Sequence, residues 1–362
     1  MDNSKKIALL YPYYGKFPWY FKFFIESCKY NPSVDFIIFT DIKINEELPK
    51  NIIVIEYSFL ELKKLISEKM GFSVSLNSPY KLCDFKPAYG VIFSEFITDY
   101  DFWGHGDIDL IFGNIRTFMT EEVLDNFDVI CVRDEYVTGF FTLFRNNEFV
   151  NKLYEESKDY KFVFQNEKNF VFDECGNLFS ELQAGESIFE LESEIETMTH
   201  VIKRLNQEEK IRAYFDFFVV EGIPGNLLWD NGTLSFKDQY EILLYHLITF
   251  KNFPHFVPFF WKKVPSKFYI GKNYFSSYPE NSARIKFYKI FFQFYLSILN
   301  LKDAFLRWLE NLKTTALLFF NKNAYDVTEV VIIIDNKKTR KVKRLEKKQI
   351  EGNASKEIFG IK

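Results

Sequence analysis

The order of hydrophobic patterns over the first hundred residues constrains this chain most. Residues 6–11 are a short apolar run closed by Pro12, and residues 18–30 repeat apolar side chains at helical spacing. Residues 35–40 and 51–56 are two more runs of strand length, and residues 60–70 return to the helical period before Gly71 stops it. Strand, helix, strand, strand, helix predicts an open α/β sheet covered by helices. Ligands of such sheets bind beyond the carboxyl ends of the strands.

Further along, the pattern predicts a helix over 87–97 and a strand running from residue 102 into a glycine-flanked turn. Strands are predicted at 128–133 and 138–145, a helix at 148–157 and a surface helix within 181–210. A hairpin turn is predicted at Trp229-Asp230-Asn231-Gly232. With 47% hydrophobic and 27% charged residues, the 362-residue chain has the material for a sizeable core, and the reading is one catalytic domain plus an appendage. The boundaries drawn are 1–255 for the catalytic domain, 256–325 for an aromatic and basic helical extension, and 326–362 for a basic hairpin and tail.

From Arg284 onward 17 Lys and Arg stand against 8 Asp and Glu, a local charge of +9 in a chain whose net charge is −4. An acidic partner for that end is implied, and an anionic membrane surface is one candidate. Phe287, Phe291 and Phe294 lie there among Lys286, Lys289 and Lys302. The uncharged stretch 290–301 is shorter than the roughly 20 residues a bilayer span needs, which leaves an interfacial or a core helix. Cys28, Cys83, Cys131 and Cys175 are scattered without zinc-site or disulfide-framework spacing, and a reducing cytoplasm is the expected compartment. The apolar run at residues 7–10 is too short for a signal peptide.

Asp107-Ile108-Asp109 carries the chemistry. Residues i and i+2 of a strand point the same way, so at a strand end both carboxylates can approach one divalent cation. Mg²⁺ and Mn²⁺ favour oxygen ligands and commonly bridge carboxylates to phosphates, which suits a nucleotide diphosphate. Paired acids in turns are, on the other reading, solvated or capping residues.

The acid pair stands in Trp103-Gly104-His105-Gly106-Asp107-Ile108-Asp109-Leu110-Ile111-Phe112-Gly113, which resembles the metal-binding motif of GT-A glycosyltransferases, in particular the bacterial capsule and lipopolysaccharide sugar transferases. Pro12-Tyr13-Tyr14-Gly15-Lys16-Phe17-Pro18 is similar to their nucleotide-facing first loop, Phe39-Thr40-Asp41 to the strand end that contacts the base, and Pro79 to Gly90 to the helix that touches ribose and phosphate. The resemblance spans roughly residues 5–255 and rests on the order of these motifs. It implies a GT-A-like open mixed sheet flanked by helices, with a C-terminal helical and basic appendage. It implies transfer of a sugar from a nucleotide diphosphate sugar, most simply UDP-linked, to a hydroxyl of a surface glycan with retention of configuration.

In that scheme Asp107 and Asp109 hold Mn²⁺ or Mg²⁺, with His246 as a third ligand. Pro12, Tyr13, Tyr14, Thr40, Asp41 and Asp84 contact base and ribose, Lys81 or Lys86 contacts phosphate, and Lys251 faces the diphosphate. Asp173 and Glu174 orient the donor sugar or the acceptor hydroxyl, and Gly139 leaves room beside the donor. Plainer readings stand beside these: His246 as a hydrogen-bonded core residue, Asp173-Glu174 as a structural cap, Gly139 as an ordinary strand start. The implied partners are the nucleotide sugar, a glycan or lipid-linked acceptor and, through the C-terminus, the inner face of the cytoplasmic membrane. A nucleotidyltransferase would carry a glycine-rich basic loop after the first strand, where this chain has three aromatics and one glycine. A carbohydrate-binding protein would explain the rings but would not require the acid pair with His246. Nucleic acid is not an expected partner, since the lysines of 337–348 lack interleaved aromatics.

Overall fold

The computed structural model describes residues 4–302 except 216, 218, 253–260, 262, 273, 280–281 and several positions between 288 and 300. Beyond these it describes the strands 325–334 and 338–347. Two compact units result, Met1–Ile285 and Lys286–Lys362.

The first unit is built on β1 (Ile7–Pro12), β2 (Val34–Thr40), β3 (Ile52–Glu56), β4 (Phe102–Gly106), β5 (Leu110–Phe112), β6 (Val129–Cys131), β7 (Phe141–Arg145) and β8 (Ala213–Tyr214). Seven of these form one mixed sheet in the order β3-β2-β1-β4-β7-β6-β8. β3, β2, β1 and β4 run parallel, and β7 is antiparallel to both β4 and β6. Alternation along the strands assigns the two faces. Ala8, Leu10, Ile37 and Phe39 enter one core, while Ile7, Leu9, Tyr11, Phe36 and Ile38 enter the other.

Helix α1 (Phe21–Lys29) covers the second face through Phe21, Phe24 and Cys28. Helix α2 (Phe59–Met70) covers the first through Leu62 and Ile66, and the helix Met198–Gln207 joins it there. Its two ends explain the length of α2. Ser58 and Glu61 form a capping box, and Gly71 closes the last turn at φ 74°, which a glycine adopts without strain.

The rest of the unit comprises β9 (Val220–Glu221), β10 (Leu227–Asp230), β11 (Thr233–Phe236), β12 (Tyr240–Glu241), β13 (Leu244–His246), β14 (Lys267–Ile270) and β15 (Phe275–Ser276). Five make a second sheet, β12-β11-β10-β14-β15, and the order β5-β13-β9 makes a third. The hairpin joining β10 to β11 turns at Asn231 and Gly232, with φ of 48° and 91°, as the two-residue turn predicted from sequence requires. In the second unit β16 (Tyr325–Ile334) and β17 (Lys338–Lys347) pair antiparallel.

The architecture is thus mixed α/β, a central mostly parallel sheet flanked by helices. Three local readings differ. The helix expected over 87–97 is a 3₁₀ stretch, Pro79–Ala88, then the short helix Tyr89–Ile92 and a 3₁₀ turn Ser94–Phe96. Pro87 lies inside the 3₁₀ stretch and has no amide hydrogen to continue an α-helix. The surface helix expected within 181–210 is two helices, Phe179–Gln183 and Met198–Gln207, and the second buries Val201, Ile202 and Leu205. The helix expected over 148–157 is two short turns, Glu148–Asn151 and Leu153–Glu156. No helix among the described residues is long and apolar enough to cross a membrane. Of the basic hairpin and tail expected at 326–362, residues 335–337 and 348–362 lie outside the described residues.

Candidate metal centre

Strand β4 ends at Gly106 beside the end of β1, and the chain turns there through Asp107, Ile108 and Asp109 into β5. The acid pair therefore sits in the β4–β5 turn, one residue past the strand end. A Cβ on Gly106 would come within 2.9 Å of the Tyr11 hydroxyl and 3.0 Å of the Phe140 carbonyl, so glycine lets the turn pass close. The Asp107 amide donates to the Phe140 carbonyl at 3.2 Å, and the Asp109 carbonyl accepts from the Leu247 amide at 2.9 Å. β5 pairs antiparallel with β13, placing His246 opposite Leu110.

This pairing gathers the three residues expected to bind metal. One ligand atom each from Asp107, Asp109 and His246 lies within 4.8 Å of the other two. Asp109 and His246 are buried at 3% and 4% exposure, whereas the Asp107 side chain is 40% exposed and leaves the cluster open to solvent. Two carboxylates and an imidazole suit a divalent cation.

Hydrogen bonds and ion pairs tie the cluster together. Burial pushes the His246 pKa down, but hydrogen bonds to Asp109 and Glu221 and the nearby Asp107 outweigh it, and the imidazole is raised to about 9. Burial pushes Asp109 up, and His246 and Lys251 together hold it well below the ordinary carboxylate range. His246 Nε2 stands 3.4 Å from Asp109 Oδ2, and Lys251 Nζ stands 2.5 Å from the same oxygen.

A second group adjoins the first. Lys86 Nζ donates to Asp107 Oδ1 at 2.8 Å and to the Gly139 carbonyl at 2.8 Å, and lies 3.7 Å from Asp173 Oδ2. Glu174 Oε1 accepts the Gly139 amide at 2.7 Å. Burial raises both Asp173 and Glu174, with Lys86 opposing in each case. Gly139 thus offers both backbone groups to the site, and a Cβ there would collide with the Asp173 carboxylate. The Asp173-Glu174 turn is reached through Val171, whose φ of 55° is unusual for a β-branched residue.

The expected nucleotide contacts cluster beyond the ends of β1 and β2. Pro12 pairs with Phe39, and the Tyr13 amide donates to the Phe39 carbonyl at 2.9 Å. Tyr13 is half-buried, and burial with the Asp109 charge raises its pKa. Thr40 is buried, its Oγ1 accepting the Ile42 amide, while Asp41 is exposed beside Tyr14. The buried Tyr14 hydroxyl has no hydrogen-bond partner among the described residues.

Lys81 and Asp84 fall elsewhere. Lys81 Nζ donates to Asp84 Oδ2 at 2.7 Å and to the Val163 and Lys168 carbonyls at 2.8 and 2.6 Å. Asp84 also accepts the Phe170 and Phe172 amides. With exposures of 2% and 0%, the pair is an internal clamp on residues 163–172, not a surface for ribose or phosphate. Of the two lysines left open by the sequence, Lys86 is the one that contacts the Asp107 side chain.

Sequence reasoning missed Glu221. Its Oε1 lies 2.9 Å from His246 Nδ1, its Oε2 accepts Arg133 Nη1 at 2.6 Å, and Arg133 forks onto Glu135 at 2.8 and 3.1 Å. A two-residue strand has no periodicity to read, so no sequence signal marked it.

A family model described as a family of unknown function, DUF6625, matches residues 9–279. No curated protein matches. Among solved structures, similarity is found to the galactosyltransferase LgtC in complex with donor and acceptor sugar analogs, at 11% identity and a TM-score of 0.31, covering 59% of this chain and 75% of that one. Mouse xyloside xylosyltransferase 1 matches at 11% identity and a TM-score of 0.33, over 67% of this chain and 97% of that one. The glycosyltransferase GlyE of Streptococcus pneumoniae matches at 14% identity and a TM-score of 0.25, over 59% and 45%. Likenesses at this level carry no weight for function.

Proposed function

The chain belongs to the DUF6625 family, whose function is unknown, and we propose that it is a metal-dependent glycosyltransferase using a nucleotide diphosphate sugar, most simply a UDP-sugar. The observation that carries the proposal is the cluster of Asp107, Asp109 and His246 beyond the ends of the parallel strands, where open α/β sheets bind ligands. The order of the surrounding motifs supports the same reading.

In this scheme Asp107, Asp109 and His246 hold Mn²⁺ or Mg²⁺. When bound, the cation supplies Lewis acidity and offsets the charge that develops on the departing diphosphate. Tyr13, Tyr14, Pro12, Thr40 and Asp41 border the place for the nucleoside, and Asp109 and Asp107 lie beside it. Lys251, held against Asp109, would contribute positive charge to the diphosphate. Lys86 holds Asp107 and the Gly139 carbonyl in place, which fixes the boundary between metal and sugar positions. Asp173 and Glu174 face the sugar side. Burial raises both carboxyls against the opposing Lys86 charge, and either could hydrogen-bond a sugar hydroxyl.

A surface glycan as acceptor, a hexose as donor and retention of configuration complete the proposal, together with attachment at an anionic membrane. For the last, the support is the exposure of Phe287, Phe291, Phe294 and Leu301 near Lys286 and Lys302.

The deciding experiment is calorimetry of UDP binding with Mn²⁺ and with EDTA. Binding at least tenfold tighter with Mn²⁺, lost in Asp109→Asn, is expected. Equal affinity in both conditions removes the metal-bridged reading.

A further inference from the structure

Glu221 and His246 stand on the adjacent parallel strands β9 and β13, directly opposite one another in register. Their side chains meet through Glu221 Oε1 and His246 Nδ1 at 2.9 Å, while the other imidazole nitrogen faces Asp109 at 3.4 Å. The imidazole is thus held between two carboxylates with distinct jobs, one inside the ligand cluster and one outside it.

The outer carboxylate is itself fixed. Arg133 Nη1 donates to Glu221 Oε2 at 2.6 Å, and its remaining nitrogens are held by Glu135 at 2.8 and 3.1 Å. An arginine stays protonated and has no acceptor, so this side of Glu221 is a permanent cationic anchor. An ionised carboxylate only accepts hydrogen bonds, which means that its other oxygen requires a hydrogen on Nδ1. A neutral imidazole has a single hydrogen. With that hydrogen on Nδ1, the lone pair must be on Nε2, the nitrogen that faces Asp109. The ring is also backed by Phe140, 4.5 Å away between centroids and tilted by 33°, which blocks a swing out of this orientation.

We propose that Glu221, anchored by Arg133, is a positioning residue that sets the tautomer and the aim of His246 so that Nε2 is presented to a divalent cation. This rests on the reading of Asp107, Asp109 and His246 as a cation site. Outer carboxylates of this kind typically change metal affinity by about 10- to 100-fold when removed.

The test is calorimetric titration of the full-length protein with Mn²⁺ alone, without nucleotide, for wild type, Glu221→Gln, Glu221→Ala, His246→Ala and Asp109→Asn. Expected are Mn²⁺ affinities about 10- to 100-fold weaker in both Glu221 variants. The nitrogen resonances of His246 in metal-free protein at a pH above its titration should also move from the Nδ1–H pattern toward a mixture of tautomers. Glu221→Gln keeps the side-chain volume and guards against loss of folding in Glu221→Ala. If both Glu221 variants bind Mn²⁺ like wild type and keep the Nδ1–H pattern while His246→Ala is weakened, Glu221 is merely an ion-pair partner and the inference falls alone. If wild type binds Mn²⁺ no better than Asp109→Asn, the cation site itself is refuted and the inference falls with it.

Discussion

Replacing Asp84 by asparagine is the sharpest test of the buried Lys81–Asp84 clamp. Every hydrogen-bond partner found for this fully buried carboxylate is a donor: Lys81 Nζ at 2.7 Å and the Phe170 amide at 3.0 Å on Oδ2, the Phe172 amide at 2.9 Å on Oδ1. Asparagine is nearly isosteric, but its NH₂ must face a donor whichever way the amide is turned. With the NH₂ turned toward Lys81, which is 2% exposed, that lysine keeps only the Val163 and Lys168 carbonyls; turned the other way, the NH₂ meets the Phe172 amide, and in both cases the lysine loses its counter-charge. Removing one side of a buried pair costs about 3–5 kcal/mol. At roughly 2 °C per kcal/mol for a unit of this size, Asp84→Asn should lower the melting temperature by about 6–10 °C. Scanning calorimetry with a parallel urea titration measures both quantities. Mn²⁺ affinity, titrated on the folded protein, should stay within about twofold of wild type, because among the described residues Asp107, Asp109 and His246 bond to Lys86, Lys251, Glu221 and one another, not to Asp84. A melting shift below about 2 °C, near 1 kcal/mol, is the value of an exposed pair and would refute the buried-clamp reasoning.

Other outcomes follow from the same geometry. His246, raised to about 9 from an ordinary 6.5, adds stability to the metal-free protein that is complete below about pH 6.5 and disappears as pH rises through 9. Melting curves in EDTA should therefore fall across that window while Mn²⁺ affinity rises, and binding near pH 7.5 should release protons, measured by calorimetry in buffers of different ionisation enthalpy; no release would contradict the protonated imidazole. Gly139→Ala should push Asp173 and Glu174 out of place and reduce metal-dependent hydrolysis of a UDP-sugar by at least tenfold, and an unchanged rate would separate those acids from the chemistry. Lys86→Met leaves Asp107 without its buried lysine, and UDP affinity in Mn²⁺ should change more than the melting temperature does; the reverse would make Lys86 a structural residue.

The parallel half of the sheet was legible because β1, α1, β2, β3 and α2 carry unbroken periodicity and end at Pro12, Asp41 and Gly71. Asp107, Asp109 and His246 could be named from type and order, since short motifs survive where strands are too brief to read. The choice between Lys81 and Lys86 could not. Their different surroundings depend on the 3₁₀ path of Pro79–Ala88, whose three-residue turn stacks Asp84 over Lys81 and leaves Lys86 beside Asp107. Glu221 stayed hidden for a related reason, because its meeting with His246 depends on a two-residue pairing between distant segments.

The union of β5 with β13 has a consequence for the protein as a moving object. It is a short ladder of three residue pairs that ties the acid turn to a strand far along the chain. A cation held by Asp107, Asp109 and His246 would act as a rivet across the seam. By mass action, saturation at a hundred times the dissociation constant would deepen the closed state by about 2.7 kcal/mol. Amide exchange at Gly113 and Leu247, whose N–H groups donate across the seam to the Leu243 and Asp109 carbonyls, should then slow when Mn²⁺ is added, while exchange in β3, at the far edge of the main sheet, stays as it was.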